Sequence, residues 1–293
     1  MRPDSDSSLR RTLTALRHDP PALAGLVILA LLILVGVAGR QLAPAGVNDI
    51  DVDNMLSPPS REHPFGTDEL GRDVLSRVLV AARVSLQVGV VSVGIALLVG
   101  VSLGLLAGYY RGWADAILMR CMDVLFAFPV LLLAVALLAV LGPGLGTAMV
   151  AIGVVYTPIF ARVARAGVLA VREQVFVRAA ISIGTSDLRI MRRHILPNIA
   201  APLIVQTSLS LAFAILSEAA LSFLGLGIQP PAPAWGRMLA DARGFVTDAW
   251  WLGVFPGAAI LLTVLAFNVV GDSLRDVLDP RQLTAGEARR NAG

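Results

Sequence analysis

VRAAISIGTSDLRIMRRHILPN, residues 177–198, is a charged stretch set between two apolar blocks of a 293-residue chain. Val177–Ile183 lacks Gly and Pro and is expected to be helical. Gly184 breaks that helix, and Ser186 is placed to cap a second short one by accepting a bond from a free N–H. The second helix is expected to stop near Pro197, whose ring removes a backbone donor. Two short helices at an angle make a protruding elbow, a contact device rather than a membrane span.

Around the elbow the chain is 56% hydrophobic and 15% charged, with a mean hydropathy of +0.74. That is far too apolar for a soluble domain of this length and points to an all-α, polytopic membrane protein. The net charge of +3 is small and no basic run is interleaved with aromatics, so nucleic-acid binding is not indicated. All 24 basic residues are Arg. A P-loop needs a Lys to reach the β- and γ-phosphates, so any ATP must be handled by another chain. The single Cys121 excludes an internal disulfide, and His18, His63 and His194 are too scattered for a Cys/His metal site. No HExxH or GxSxG occurs, which argues against an intramembrane hydrolase.

In chain order, 1–19 reads as a polar tail. Pro20–Gly39 runs uncharged for 20 residues, enough for a first transmembrane helix. A secretory signal is the rival reading, with Ala43-Pro44-Ala45 as its cleavage site, but the apolar run is longer than such segments carry. Residues 40–83 form an extracytoplasmic segment in which Thr67 is expected to cap an amphipathic helix. Asp68 and Glu69 would occupy its first turn, with Leu70, Val74 and Val78 on one face. Residues 84–271 make the core, with five further helices. Val84–Tyr110 carries Gly100, Gly104 and Gly108 at intervals of four, a stripe that lets two membrane helices approach closely. Arg120 and Asp123 are spaced to pair on one helix. Val124–Ala161 divides at Leu141–Gly146 into two helices, and Pro158 is expected to kink the second near its end, a candidate hinge.

After the loop 162–200 comes Ala201–Gly227, apolar except for Glu218. A carboxylate at membrane depth faces either a wet pathway or a partner helix, and both readings stand. Ile228–Asp248 reads as an outer loop with Trp235, Trp250 and Trp251 as interface anchors, and Ala249–Gly271 as the last span. Residues 272–293 form a second tail, beginning with Asp272, Arg275, Asp276 and Asp279 spaced for a short salt-bridged helix. With six spans, 17 Arg fall on the elbow's side of the bilayer and 7 on the other, which places both termini and the elbow in the cytosol.

Ala179-Ala180, three residues, Gly184 and then Leu196-Pro197 resemble the EAA loop of ABC importer permeases, the element that docks into their ATPase subunits. The ending RHILPN at 193–198 is similar to that of the dipeptide, oligopeptide and nickel branch. So are GTDELGRDVLSR at 66–77, ILSEAALSFLGLG at 215–227 and GDSLRDVLDPR at 271–281. One departure is Arg178, where the family usually has Glu. The resemblance implies a type I ABC importer permease fold, six transmembrane helices with a cytosolic coupling helix, in a bacterial inner membrane. It implies no cofactor on this chain, with ATP and Mg held by two cytosolic ATPase subunits. A second, related permease and an extracytoplasmic solute-binding protein complete the assembly, which moves di- or oligopeptides, nickel chelates, glutathione or haem. Arg178, Ala179, Ala180, Gly184, Asp187, Arg189, Arg192, Arg193, His194, Leu196 and Pro197 become the coupling residues. A secondary transporter would need ion-coupling acids and internal repeats, and a channel would need no docking elbow; neither fits as well.

Overall fold

The computed structural model describes residues 19–278. Ten α-helices account for most of them: α1 (Pro20–Leu42), α2 (Val74–Tyr110), α3 (Gly112–Phe126), α4 (Val130–Leu141), α5 (Leu145–Arg172), α6 (Val175–Ser182), α7 (Asp187–Ile190), α8 (Ala200–Phe223), α9 (Trp235–Ala242) and α10 (Trp251–Leu278). Five segments are each long and apolar enough to cross a bilayer: α1, α2, α5, the continuous run Asp187–Phe223, and α10. A sixth crossing exists only if α3 and α4 count together, and they meet at 93°. The straight third span expected from Val124 onward is therefore broken. Pro129 has no N–H to donate, and Phe128 before it is pushed out of the helical region. The remaining α4 has 12 residues, about 18 Å, well short of a core about 30 Å thick.

The centre of the bundle is the contact between α2 and α5, and glycine makes it possible. A Cβ on Gly100 would lie 2.6 Å from the Thr157 carbonyl oxygen, and one on Gly108 would lie 2.8 Å from Val168 Cβ. Gly104 faces the Ala161 carbonyl in the same way. The stripe read from the sequence is this seam, and its close approach lets Phe160, Ala164 and Val168 bury completely. Pro158 lies buried in α5 beside the seam, and the helix runs unbroken through it.

At the opposite end from the elbow, the helix expected to be capped by Thr67 does not form over 68–73. Gly71 adopts a left-handed φ of +75° against the Asp51 backbone, and Asp68 Oδ1 accepts from the backbone N–H groups of Leu70 and Arg72. A short polar side chain competing for backbone donors turns the chain instead of coiling it. The helix starts at Val74, where Asp73 Oδ2 accepts from Ser76 N at 2.8 Å, and it continues without interruption as the second span. The expected outer loop also contains α9. Trp235 is 1% exposed and donates to the Val78 carbonyl oxygen, while Trp251 is buried and donates to that of Thr67. Both indoles are core residues rather than interface anchors; of the three expected anchors only Trp250 is exposed. The segment 272–278 continues α10 rather than starting a separate helix, and no ion pair joins Asp272, Arg275 and Asp276 among the described residues. Residues 1–18 and 279–293, Asp279 among them, lie outside them.

Candidate functional site

The elbow lies at the Arg-rich end of α5. Its first arm is α6, closed by Gly184 at φ +77°, a conformation L side chains rarely adopt. The Gly184 N–H donates to the Ile181 carbonyl and that of Thr185 to the Ala180 carbonyl, which turns the chain sharply. Ser186 occupies the capping position of α7, but its side chain makes no capping bond.

The second arm does not stop at Pro197. The chain passes from α7 through a π turn, Met191–Ile195, and a 3-10 turn, Leu196–Ile199, directly into α8. Pro197 has no N–H to offer the Arg193 carbonyl, and its ring crowds that oxygen; the coil widens before it and tightens after it rather than breaking. The second arm is thus one piece with the fifth span.

The residues of the elbow, the candidate coupling residues among them, separate by face. Val177, Ala180, Ile190, Met191 and Ile195 turn inward and join the main core. Arg178 and Ala179 turn outward, so the two adjacent alanines serve different sides. Arg189 and Arg193, four apart, share one exposed face; Arg192 and Leu196 lie on another with Leu188, along a groove between α2 and α8. His194 is half-buried, its ring 6.5 Å from that of Phe176.

Two ties hold the elbow to the bundle, and the sequence signalled neither. Tyr109 Oη, at the end of α2, donates to Asp187 Oδ1 at 2.7 Å, and the Arg172 guanidinium lies 5.3 Å from the same ring. Glu173 accepts from Arg111 and Arg178, each at 2.6 Å. Those two cations, Arg178 first and then Arg111, hold the Glu173 carboxyl below its ordinary range. Arg178 thus has an acid within its own chain. Further along α5, Arg165 grips Asp115 with two bonds and Arg162 meets Asp123 at 2.7 Å, clamping α3 to α5. Asp123 does not pair with Arg120 as its spacing suggested.

Glu218 is 1% exposed and lies between α8 and α2, accepting from Ser222 Oγ at 2.7 Å and Ser85 Oγ at 3.4 Å. It packs against α2 and does not line the groove between α2 and α8. Among the described residues no group of acids, His and Cys is arranged to hold a metal ion.

Five to six apolar crossings and a solvent-exposed helical elbow joined to two of them define a multi-pass membrane transport component. Residues 100–284 match the binding-protein-dependent transport system inner membrane component family, and residues 7–59 match the N-terminal TM domain of oligopeptide transport permease C. The chain belongs to that inner membrane component family. It is 46% identical to a dipeptide transport system permease protein DppC of Alkalihalophilus pseudofirmus, over 94% of this chain and 90% of the relative. It is 48% identical to the glutathione transport system permease protein GsiD of Escherichia coli O157:H7, over 90% and 88%. A probable D,D-dipeptide transport system permease protein DdpC of Escherichia coli K12 is 47% identical, over 91% and 89%. The fold is shared with a chain of the MetNI methionine ABC transporter in an inward-facing conformation, with a TM-score of 0.57 at 17% identity, covering 69% of this chain and 96% of that one.

Proposed function

We propose that this ABC importer permease carries di- and oligopeptides inward, and that its elbow is the handle by which separate ATPase subunits move it. The observation that supports this most is the surface of the elbow itself. Val175 and Ile183 are 82% exposed, on an element outside the apolar bundle that also presents the exposed cations Arg178, Arg189 and Arg193. Large apolar side chains gathered in an aqueous position mark a surface that another protein covers. The partner it fits has an apolar groove with acidic edges. The excess of Arg on this side makes it the cytosolic one, with both termini there and ATP at hand.

In this reading the chain binds no cofactor. ATP and Mg belong to two cytosolic ATPase subunits, a second permease completes the pathway, and an extracytoplasmic binding protein delivers the substrate. Closure of the ATPases pushes the elbow, and the second arm, continuous with α8, transmits the push to the fifth span. Pro158 in α5 is the candidate point of flexure. Peptides are favoured because two of the similar proteins carry dipeptide in their names; a third carries glutathione, itself a tripeptide, which is the second reading.

The test is uptake of labelled dipeptide into proteoliposomes holding both permeases, the ATPases and the cognate binding protein. Wild type takes up peptide only with ATP. Ile183→Asp and Arg178→Glu are expected to leave the bundle folded but to reduce ATPase co-purification and uptake together. Uptake unchanged in both variants overturns the elbow as handle; uptake of glutathione but no dipeptide overturns the substrate.

A further inference from the structure

An open groove of about 640 Å³ runs between α2 and α8 and ends on the elbow's second arm. Its walls are apolar, among them Leu98 and Leu105 of α2, Leu203 and Ile204 of α8, and Leu188 and Leu196 of the arm. Three lining residues are polar: Ser102, Thr207 and Arg192. Both hydroxyls are spent inside their own helices, Ser102 Oγ on the Leu98 carbonyl and Thr207 Oγ1 on that of Leu203. Arg192 is exposed, and its side chain makes no hydrogen bond or ion pair among the described residues. To any occupant the groove therefore offers hydrocarbon along its length and one guanidinium at the elbow end.

The dimensions match a single lipid chain. On α2 the lining extends from Leu97 to Leu106, about 14 Å along the axis, close to half of a hydrocarbon core about 30 Å thick. Arg192 precedes the first lining residue of α8 itself, Ala200, and so lies at the elbow end of the groove, where a charged headgroup would sit if the lipid chain fills the apolar length. The geometry points to a binding site for an anionic phospholipid of the elbow-side leaflet, its acyl chain in the groove and its phosphate on Arg192. This rests on the proposed orientation only for the name of the leaflet, the cytoplasmic one. The N-terminal tail is a poor rival occupant, since Arg2, Arg10, Arg11 and Arg17 repeat the charge already in the groove. A bound lipid would touch α2, α8 and the arm at once, joining the elements that elbow movement must shift.

The assembled transporter in phosphatidylcholine nanodiscs, doped with a photoactivatable acyl-chain probe on either phosphatidylglycerol or phosphatidylcholine, provides the test. Labelled peptides covering 97–106 and 200–207 are quantified by mass spectrometry. The glycerol headgroup is expected to give about fivefold more label there than choline, the worth of one Arg at an anionic surface. Arg192→Gln is expected to bring the two probes level, and high salt on the unaltered protein to do the same without any substitution. Thr207→Trp, which fills the groove, is expected to abolish labelling by both. Equal labelling by the two headgroups in the unaltered protein overturns the proposal. So does absence of label together with a disulfide cross-link from Ser102→Cys to the second permease, which would show that protein covers the groove.

Discussion

Replacing Tyr109 by Phe removes one hydroxyl and leaves the ring under Arg172, so its consequence isolates a single tie between elbow and bundle. The phenol of Tyr109 is buried, and its Oη lies 2.7 Å from Asp187 Oδ1. A hydrogen bond to a charged group contributes about 1.5–3 kcal/mol, and the exposure of Asp187 to water reduces this to about 1 kcal/mol. That is about a fivefold change in the equilibrium between a held and a released elbow. Amide hydrogen exchange reads it directly, because the elbow opens locally before the bundle does. In Tyr109→Phe the amides of 177–190 are expected to exchange about fivefold faster while those of α2 and α5 keep their rates. Asp187→Ala loses the same bond and also a favourable charge at the start of α7. A double-mutant cycle cancels that second effect: the double variant is expected to exchange no faster than Asp187→Ala alone. Additive effects, or an unchanged elbow in Tyr109→Phe, would refute the tie.

Three further outcomes follow from the packing. Gly104→Val drives a branched side chain into the Ala161 carbonyl and is expected to cost at least about 3 kcal/mol and prevent assembly, whereas Gly94→Ala meets nothing within 4 Å and keeps wild-type yield in size-exclusion chromatography. Glu218→Gln keeps one oxygen to accept from one serine and offers its amide N–H to the hydroxyl oxygen of the other, and is expected to keep near-normal uptake, while Glu218→Ala leaves both buried hydroxyls without the acceptor they donate to, at about 1–3 kcal/mol, and lowers the thermal midpoint of the complex. Glu173 has its carboxyl held below the ordinary value of 4.5, so its bonds to Arg178 and Arg111 are complete above that value and are lost as pH falls through the depressed one. Elbow exchange in wild type and in Glu173→Gln is therefore expected to differ at neutral pH and to converge in strong acid; a constant difference would remove Glu173 from the elbow's support.

The parts of this fold that announce themselves in the sequence are those governed by one residue and its neighbours. The stripe Gly100, Gly104, Gly108 read as a seam because only small residues permit the approach that α2 and α5 make. Gly184 read as a break because left-handed backbone favours it. What stayed hidden depends on distant partners or on a competition between two local preferences. Thr67 and Asp73 are both acceptable caps, and the left-handed Gly71 between them, pressed against Asp51, decides for the later one. Asp123 has a partner three residues away in Arg120, yet the clamp of α3 on α5 brings Arg162 closer. Trp235 and Trp251 looked like surface aromatics because nothing local reveals that the Val78 and Thr67 carbonyls await their N–H groups.

The two arms of the elbow differ in how they can act. The first is bound through Glu173 and Arg178 to the junction of α2 and α3, and its buried face is Val177 and Ala180. The second buries Ile190, Ile195 and Ile199 and runs on into α8 through a π turn and a 3-10 turn, with no break in the helical path. A push on the exposed face, as proposed above, would be shared unequally. In the proposed coupling the first arm meets it with the ties of Glu173, whereas the second, held by one bond from Tyr109 to Asp187, runs on into α8 along a helical path that lacks the hydrogen bond Pro197 cannot donate. Gly184, with no atom within 4 Å of where a Cβ would stand, is the point at which the two can change their angle without collision. If the elbow is the handle proposed above, this asymmetry predicts that α8 is the first helix to shift relative to α2 and α5.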